Sequence, residues 1–598
     1  MPTSPGQSIL LAIRNGLVTG NKVPQTLDAH DLGVDFKNDG GLLFITLFQP
    51  GKAPLRAGSQ RKTFPATLDR VVDRLRNKSR FDTFNPEDVK ECRIMVEIVV
   101  RETPVDAKSL HNSTTFGRHR FEPGVTGIKA TREGLSNYYL PTDATIHGER
   151  HISQALRRLA RMHKVRRSEL SQPPTKLMLL ETRAFVSFGE ELLFLFRGLP
   201  ATPPLTPTLL REQMGQSANW LMDNLQPDGR FLYYYHLGRD SARDLANTAN
   251  PDYFNLARHT GGIIGLLRIH ERLPNPRHLE TAQKALTFLD QQCLREETPQ
   301  GEHCYAYYDN KATLGGSGIA LMAMTFYRQL CGDDRFDATM TGLVRHLLSR
   351  TLPSGEMLCC YIHPRHNDGQ PLLDPSPKLR KRLFNLFYPG EALLGLIGYL
   401  KTGICEPKLA EEIREAAKRA IDFLVRSRPI DKPRIYDALP SDSWLMQTIE
   451  AWWQEPGFQE PAWRDYVFAD AEKFIRFMYQ PGETPYPDYP GAFHREFGEV
   501  ARQYNSRAEG LMAAHYLAVQ IGDRAMADYL LEKIELVATS LLPTFVSPES
   551  AFLCREPQKS IGAIRFKLNQ QWVRVDSVMH TVCFQSRLLP VLEKGCSK

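Results

Sequence analysis

No stretch of this chain is long and uncharged enough to span a bilayer. Its first thirty residues carry only Ile9 to Ile13 as an apolar patch, with no small-residue cleavage site behind a longer apolar core. We therefore expect no membrane partner and no signal peptide, with the cytoplasm as destination. Also missing are a Walker-type phosphate loop, a dinucleotide fingerprint followed by an acidic partner, and a paired Cys-x-x-Cys motif. Gly315-Gly-Ser-Gly318 is glycine-rich but lacks a lysine and opens an apolar segment, so close helix packing accounts for it. No motif calls for a cofactor. Ten cysteines at irregular spacing in 598 residues suit free thiols better than a disulfide framework. The formal charge of +7 is small for this length, and much of it falls between Arg150 and Arg167. A nucleic-acid face needs a broader basic surface and a recognisable module. Nucleic acid is thus not expected as a partner, and a solvated helix face or a site for an anionic polymer explains the run.

What the sequence does have is a repeat. Between about Met214 and Pro590 run twelve apolar segments of helical period. Stretches such as Ile263 to Ile269, Ile319 to Tyr327 and Ala392 to Leu400 are apolar nearly all round, as buried helices are. The segments between them, among them His278 to Leu294, Leu409 to Val425 and Ala525 to Leu541, space their apolar residues by three and four, as one-sided surface helices do. Two concentric helical layers follow, as six hairpins that bury their faces only against neighbours. Closed, they form an (α/α)6 toroid; open, a solenoid with bare apolar ends. Asp228 to Tyr235, Gly301 to Tyr308 and Ser354 to Tyr361 each set a glycine turn before a short aromatic strand, which predicts hairpins on one rim.

From Gly40 the earlier part alternates strands (Leu42 to Leu47, Glu91 to Val100, Leu177 to Phe188) with helices (Thr67 to Arg76, His151 to Met162), an α/β pattern. A chain of this length is expected to hold more than one core. Pro200 to Pro207 reads as a rigid linker, giving domains 1–199 and 208–598.

The openings of the buried segments carry the chemistry. Glu391, Asp442, His580, Asp309 and His259 are the candidates for proton transfer, and Arg258 and Arg507 offer forks for a substrate carboxylate. Tyr235, Tyr308, Trp444, Tyr504, Asn505, Glu509 and Asp576 are candidate substrate contacts. Glu391 at a helix start is expected to have a lowered pKa, suiting a base. Asp442 reads equally as a helix cap within Ser441-Asp442-Ser443. His580 lies four residues past Asp576, so the aspartate is expected to orient it. Cys359-Cys360-x-x-His363-x-x-His366 packs four metal-ligand types together, but neighbouring cysteines on a strand face opposite ways, and no metal site is expected.

Gly41-Leu-Leu-Phe-Ile-Thr-Leu-Phe, Leu55-Arg56, Phe84-Asn85-Pro86-Glu87-Asp88, Glu97-Ile98-Val99, Gly127-Ile128 and Leu156-Arg-Arg-Leu159 resemble the AMMECR1 family over residues 5–195. Where that family has Arg-Gly-Cys-Ile-Gly, this chain has Arg56-Ala57-Gly58-Ser59-Gln60, without the cysteine. Arg258-His259, Tyr388-Pro-Gly-Glu391, Tyr504-Asn505-Ser-Arg507 and Arg574-Val-Asp576-Ser-Val-Met-His580 are similar to (α/α)6 domains of carbohydrate-active proteins, nearest the C-terminal domain of D-glucuronyl C5-epimerases. That resemblance implies an acidic saccharide or polymer as partner, handled by hydrolysis, elimination or epimerisation. A glycan- or peptide-binding scaffold, or a peptide-modifying enzyme using the same cavity, stays open beside it.

Overall fold

The computed structural model describes residues 6–36, 41–83, 86–106, 110, 121–244, 247, 249–299, 301–370, 372, 375–431, 442–493 and 501–596. Ser441, Phe84 and Asn85 lie outside them.

The first part is an antiparallel sheet of strands β1 (Gly41–Phe48), β2 (Leu55–Arg61), β3 (Arg93–Val105), β4 (Thr126–Arg132), β5 (Leu135–Tyr139), β6 (Lys176–Phe188), β7 (Glu191–Phe196) and β8 (Leu199–Pro200), in the order β2-β1-β3-β6-β4-β5. β7 joins the edge of β6 beyond β4 and carries β8. Every residue of β1 is buried, because both faces are covered. Leu43, Ile45 and Leu47 pack with helices α1 (Gln7–Thr19) and α2 (Phe64–Arg76), while Leu42 and Phe44 pack with Val99, Leu140 and Leu180. A third helix, α3 (Ile152–Met162), packs beside β5. The sequence pattern found β1, β3 and β6. It missed β2, whose Arg-Ala-Gly-Ser-Gln-Arg run has the polar character of an edge strand.

The second part is the ring. Numbering only helices of ten residues or longer, the inner layer is α5 (Leu256–Arg272), α7 (Leu314–Cys331), α9 (Tyr388–Leu400), α11 (Ser443–Trp452), α13 (Asn505–Gln520) and α15 (Val575–Cys596). Each packs on the next in that order, and α15 returns to α5. The outer layer is α4 (Pro207–Asp223), α6 (Pro276–Gln291), α8 (Asp337–Ser349), α10 (Pro407–Asp422), α12 (Pro461–Arg476) and α14 (Arg524–Leu541), each on the inner helix that precedes it around the ring. Five successive residues of α5, Ile263 to Leu267, are buried. α10 instead buries one stripe, Ala410, Ile413, Ala416, Ala417, Ala420 and Ile421. A fully buried Leu or Ile on such a stripe contributes about 2 kcal/mol.

Ring closure is built into the turns. Gly229, Gly301, Gly355, Gly491 and Gly562 have φ of +90°, +100°, +87°, +83° and +87°, a region that favours glycine. Each sits after one outer helix, and an added Cβ at Gly229, Gly355, Gly491 or Gly562 would strike the backbone of the following outer helix at Lys284, Arg419, Leu536 or Gln216 in turn, whereas at Gly301 it would meet only the guanidinium end of Arg345. The last of these returns to α4, so the final turn is locked onto the first helix. The rim strands close as well: β14 (Trp572–Arg574), just before α15, pairs with β9 (Tyr234–His236), just before α5. The open solenoid is thereby excluded. The other rim elements are the hairpin β10 (Cys293–Thr298) with β11 (Gly301–Ala306), and β12 (Ala312–Thr313) paired with β13 (Cys360–Tyr361).

The two parts share a joint. Phe48, Met95, Val186, Leu195 and Leu199 cluster with Phe552, Leu553 and Leu568. Beside them Arg197, with its side chain 1% exposed, donates to Glu122 at 2.7 Å and to Asp488 at 2.5 Å. No single helix among the described residues is long and apolar enough to cross a membrane. One bent pair, Pro377–Leu383 with α9, passes by length and composition, and α9 is buried in the ring.

Candidate functional site

The site forms where the inner helices start, because their caps fix side chains of the first turns toward the ring axis. Asn255 accepts from Arg258 N at 3.1 Å to begin α5, and Asp442 accepts from Leu445 N at 3.1 Å to begin α11. Six inner helices then contribute to one cluster: Arg258 from α5, Gly315 from α7, Tyr388 and Glu391 from α9, Trp444 from α11, Glu509 from α13, and Asp576 and His580 from α15. Since α9 and α15 are third and sixth in the ring, Glu391 and His580 project from opposite sides.

Glu391 is the unusual group. Protein surrounds it, its remaining exposure is partial, and Oε2 is buried with no hydrogen-bond partner among the described residues. That carboxylate lies over Gly315, where any Cβ would collide with it and with the Tyr388 ring. A charge without a donor is costly there. Burial, reinforced by the nearby Asp442 carboxylate and only partly offset by His580 and Arg258, pushes its pKa up to about 7. This corrects the expectation of a lowered pKa: the helix start does not outweigh desolvation, and the group is set as an acid near neutrality.

His580 faces it with the opposite tendency. Nδ1 lies 2.5 Å from Glu509 Oε1. Burial would lower the imidazole pKa, but Glu509 and then Asp576 outweigh it and raise it. Nε2 has no hydrogen-bond partner among the described residues, and the Trp444 ring stands edge-on at 6.1 Å between centroids. The orienting carboxylate is therefore Glu509 from a neighbouring helix, not Asp576. Asp576 is taken by arginines: Arg574 grips it at 2.6 Å through both Nε and Nη2, and Arg258 Nε donates at 2.8 Å. Burial would raise the Asp576 pKa, and Arg574 and Arg258 reverse this, holding it low. Asn505 ties α13 to α15, donating to Ser577 O at 2.9 Å and Thr581 Oγ1 at 3.1 Å.

Other sequence candidates are placed elsewhere. Asp442 is 1% exposed, caps α11, and pairs with Arg428 at 2.9 Å while its own N–H donates to Asp470, so both of its oxygens are engaged. His259 is 1% exposed: Nδ1 accepts from Phe231 N at 3.2 Å and Nε2 lies 3.2 Å from Ala285 O, the pattern of a neutral ring. Burial takes its pKa down to about 4. Asp309 sits on an exposed turn beside Lys311. Tyr235 OH donates to Asp240 at 2.7 Å, and Tyr308 packs edge-on against Phe254. Arg507 lies over the Tyr504 ring at 4.2 Å, within an aromatic group that includes Phe474. Among the described residues no group of three or more His, Cys, Asp or Glu is placed to hold a metal ion.

Tyr388, Tyr233 and Arg574 were not among the site residues expected from sequence, although Tyr233 falls in the predicted aromatic rim segment Asp228 to Tyr235. Tyr388, whose pKa burial and Glu391 push up to about 12, stays a hydroxyl donor beside the acid. Tyr233 stands beside Arg258 and Arg574, its pKa raised by burial. Arg574 ends β14 and Asp576 lies in the first turn of α15, so their pairing crosses a strand-to-helix junction that spacing alone does not give.

No protein-family model and no curated protein matches the chain. Solved structures similar to it include a D-mannose isomerase (11% identity, TM-score 0.44, over 64% of this chain and 97% of the other) and a sugar epimerase from a ruminal bacterium (11%, 0.44, 65% and 99%). An uncharacterized protein from Pyrococcus horikoshii is similar over 33% of this chain and 97% of its own (13% identity, TM-score 0.27).

Proposed function

We propose that the ring, residues 208–598, is a carbohydrate-active enzyme that moves protons on an acidic saccharide held between Glu391 and His580. The observation that carries this reading is their opposition: an acid of pKa about 7 and an imidazole held by Glu509 come from opposite helices of the ring, near enough for the His580 charge to act on Glu391. Proton removal on one side and delivery on the other needs such a pair. Arg258, Tyr388 and Trp444 supply a cation, a hydroxyl and an aromatic edge around it. Among the possible reactions, epimerisation of a uronate, as in the D-glucuronyl C5-epimerase resemblance, uses two opposed proton-transfer groups most directly. We assign residues 1–199 as an AMMECR1-like domain ending at the Pro-rich 200–207 segment, whose Arg150 lines a cavity together with Tyr233 and Arg574 of the ring.

The test incubates the protein with uronate oligosaccharides in deuterated water. New reducing ends without an unsaturated product report hydrolysis, new reducing ends with an unsaturated product report elimination, and deuterium at C5 without chain cleavage reports epimerisation. Glu391→Gln and His580→Asn are each expected to cut turnover by about 10²–10⁴-fold, while Asp309→Asn retains it. Full turnover in both of the first two variants would reject the site.

A further inference from the structure

Beside the acid–base cluster lies a cavity of about 410 Å³, lined by Arg150, Arg239 and Arg574, by His236, and by Trp572. The lining includes one carboxylate, Asp244. Tyr233 and Arg574 connect this cavity to the cluster: both line it, Tyr233 stands near Arg258 and Asp576, and Arg574 donates to Asp576. The walls are stiff. Trp572 is stacked between Phe566 at 4.5 Å and Tyr234 at 5.5 Å. His236 Nδ1 is buried without a partner, and burial together with Arg239 takes its pKa down to about 4, leaving a neutral ring with one N–H to donate.

Arg150 comes from the first part of the chain, and its placement is fixed rather than incidental. Its backbone N–H donates to Gln154 at 2.8 Å. The loop before it is tied to the ring by Asn569 Nδ2, which donates to Glu149 O at 2.6 Å, and by Gln571 Nε2, which donates to Thr145 O at 2.5 Å. Asn569 and Gln571 are 0% and 2% exposed, so these ties are interior ones. Polar ties of this kind aim a basic side chain from one domain into a cavity of the other. Arg239 lines the cavity and is exposed, and its guanidinium has no hydrogen-bond or ion-pair partner among the described residues.

We infer that this cavity is an anion subsite, which receives the carboxylate or sulfate of the sugar unit next to the one held between Glu391 and His580. Planar guanidinium forks suit either group. The inference rests on the acid–base reading for its reference point and adds that the substrate is a chain of anionic sugars, recognised in part by the first domain.

Binding is measured by calorimetry with tetragalacturonate, a sulfated uronate tetrasaccharide, neutral maltotetraose and monomeric galacturonate. At least one acidic tetramer is expected to bind more tightly than maltotetraose. Arg150→Ala with Arg239→Ala is expected to weaken that tetramer by about tenfold or more, with a much smaller loss for the monomer and a shallower salt dependence. The better acidic tetramer identifies the anion. Equal affinities for acidic and neutral tetramers, or an unchanged affinity in the double variant, would overturn the subsite. Glu391→Gln separates the two claims, since it is expected to stop turnover while leaving tetramer affinity in place. Turnover retained in Glu391→Gln, together with weakened binding in the double variant, would remove the acid–base reading and keep the subsite.

Discussion

At the residue scale, Glu391 and Asp442 look alike in sequence, each an acid at a helix opening, and differ in what surrounds them. Glu391 has a folded pKa of about 7 against an ordinary 4.5. Its neutral form is the one the fold favours, so its contribution is fully present below about pH 4.5 and is lost as pH rises through 7. Glu391→Gln is therefore expected to raise stability at pH 8, by up to roughly 3 kcal/mol, and to change little at pH 4. Thermal melts of both proteins at the two pH values check this. With Glu391 as acid, kcat/KM of the wild type is also expected to fall above about pH 7. Asp442→Ala should behave in the opposite way, since it strips a cap and removes a carboxylate partner from the buried Arg428. A loss of about 3–5 kcal/mol is expected, read as a lower denaturant midpoint. The sequence offered Asp442 both roles; its partner Arg428, fourteen residues away across residues that carry no periodic signal, could not be read from spacing.

At the element scale, the turn glycines make the ring. Gly562 rests on the backbone of α4 at Gln216, while Gly215, one residue earlier on that helix, has nothing within 4 Å of an added Cβ. Gly562→Ala is expected to lose more than about 1 kcal/mol, through both its φ of +87° and the clash. Gly215→Ala should gain about 0.5–1 kcal/mol, as in any open helix interior. Chemical denaturation of the pair distinguishes a turn that locks the ring from one that merely connects. Both helical layers were legible because burial on all sides and burial on one stripe leave different periods. The strand signals were only partly legible: β1, buried on both faces, shows a continuous apolar run, whereas β2 and β4 mix polar residues whose place depends on neighbours distant in sequence. The glycine turns before the aromatic strands were visible, but not that they would rest on the next outer helix.

At the scale of the whole molecule, two parts are joined by a buried charge network and an apolar cluster. Arg197 holds Glu122 from the first part and Asp488 from the second, with the Tyr489 ring at 4.8 Å. Arg197→Ala would remove the cation that the two buried carboxylates share and is expected to cost about 3–5 kcal/mol. Arg197→Lys should not restore it, because an ammonium cannot serve both acids through a fork; differential scanning calorimetry of the three proteins reads this. The larger claim concerns convergence. Arg258, Glu391, Trp444, Glu509 and His580 are spread over more than three hundred residues of sequence and meet only because the ring closes, which is why their types could be listed from sequence and their partners could not. The most direct measurement is the titration of His580, followed by NMR in ring-labelled protein, with and without Glu391. Since the His580 charge lowers the Glu391 pKa across the ring, the Glu391 charge must raise the His580 pKa by linkage. The expected result is a His580 midpoint above its ordinary 6.5 in the wild type and a lower midpoint in Glu391→Gln. An identical midpoint in the two proteins would contradict the account, since the groups would then not share a site.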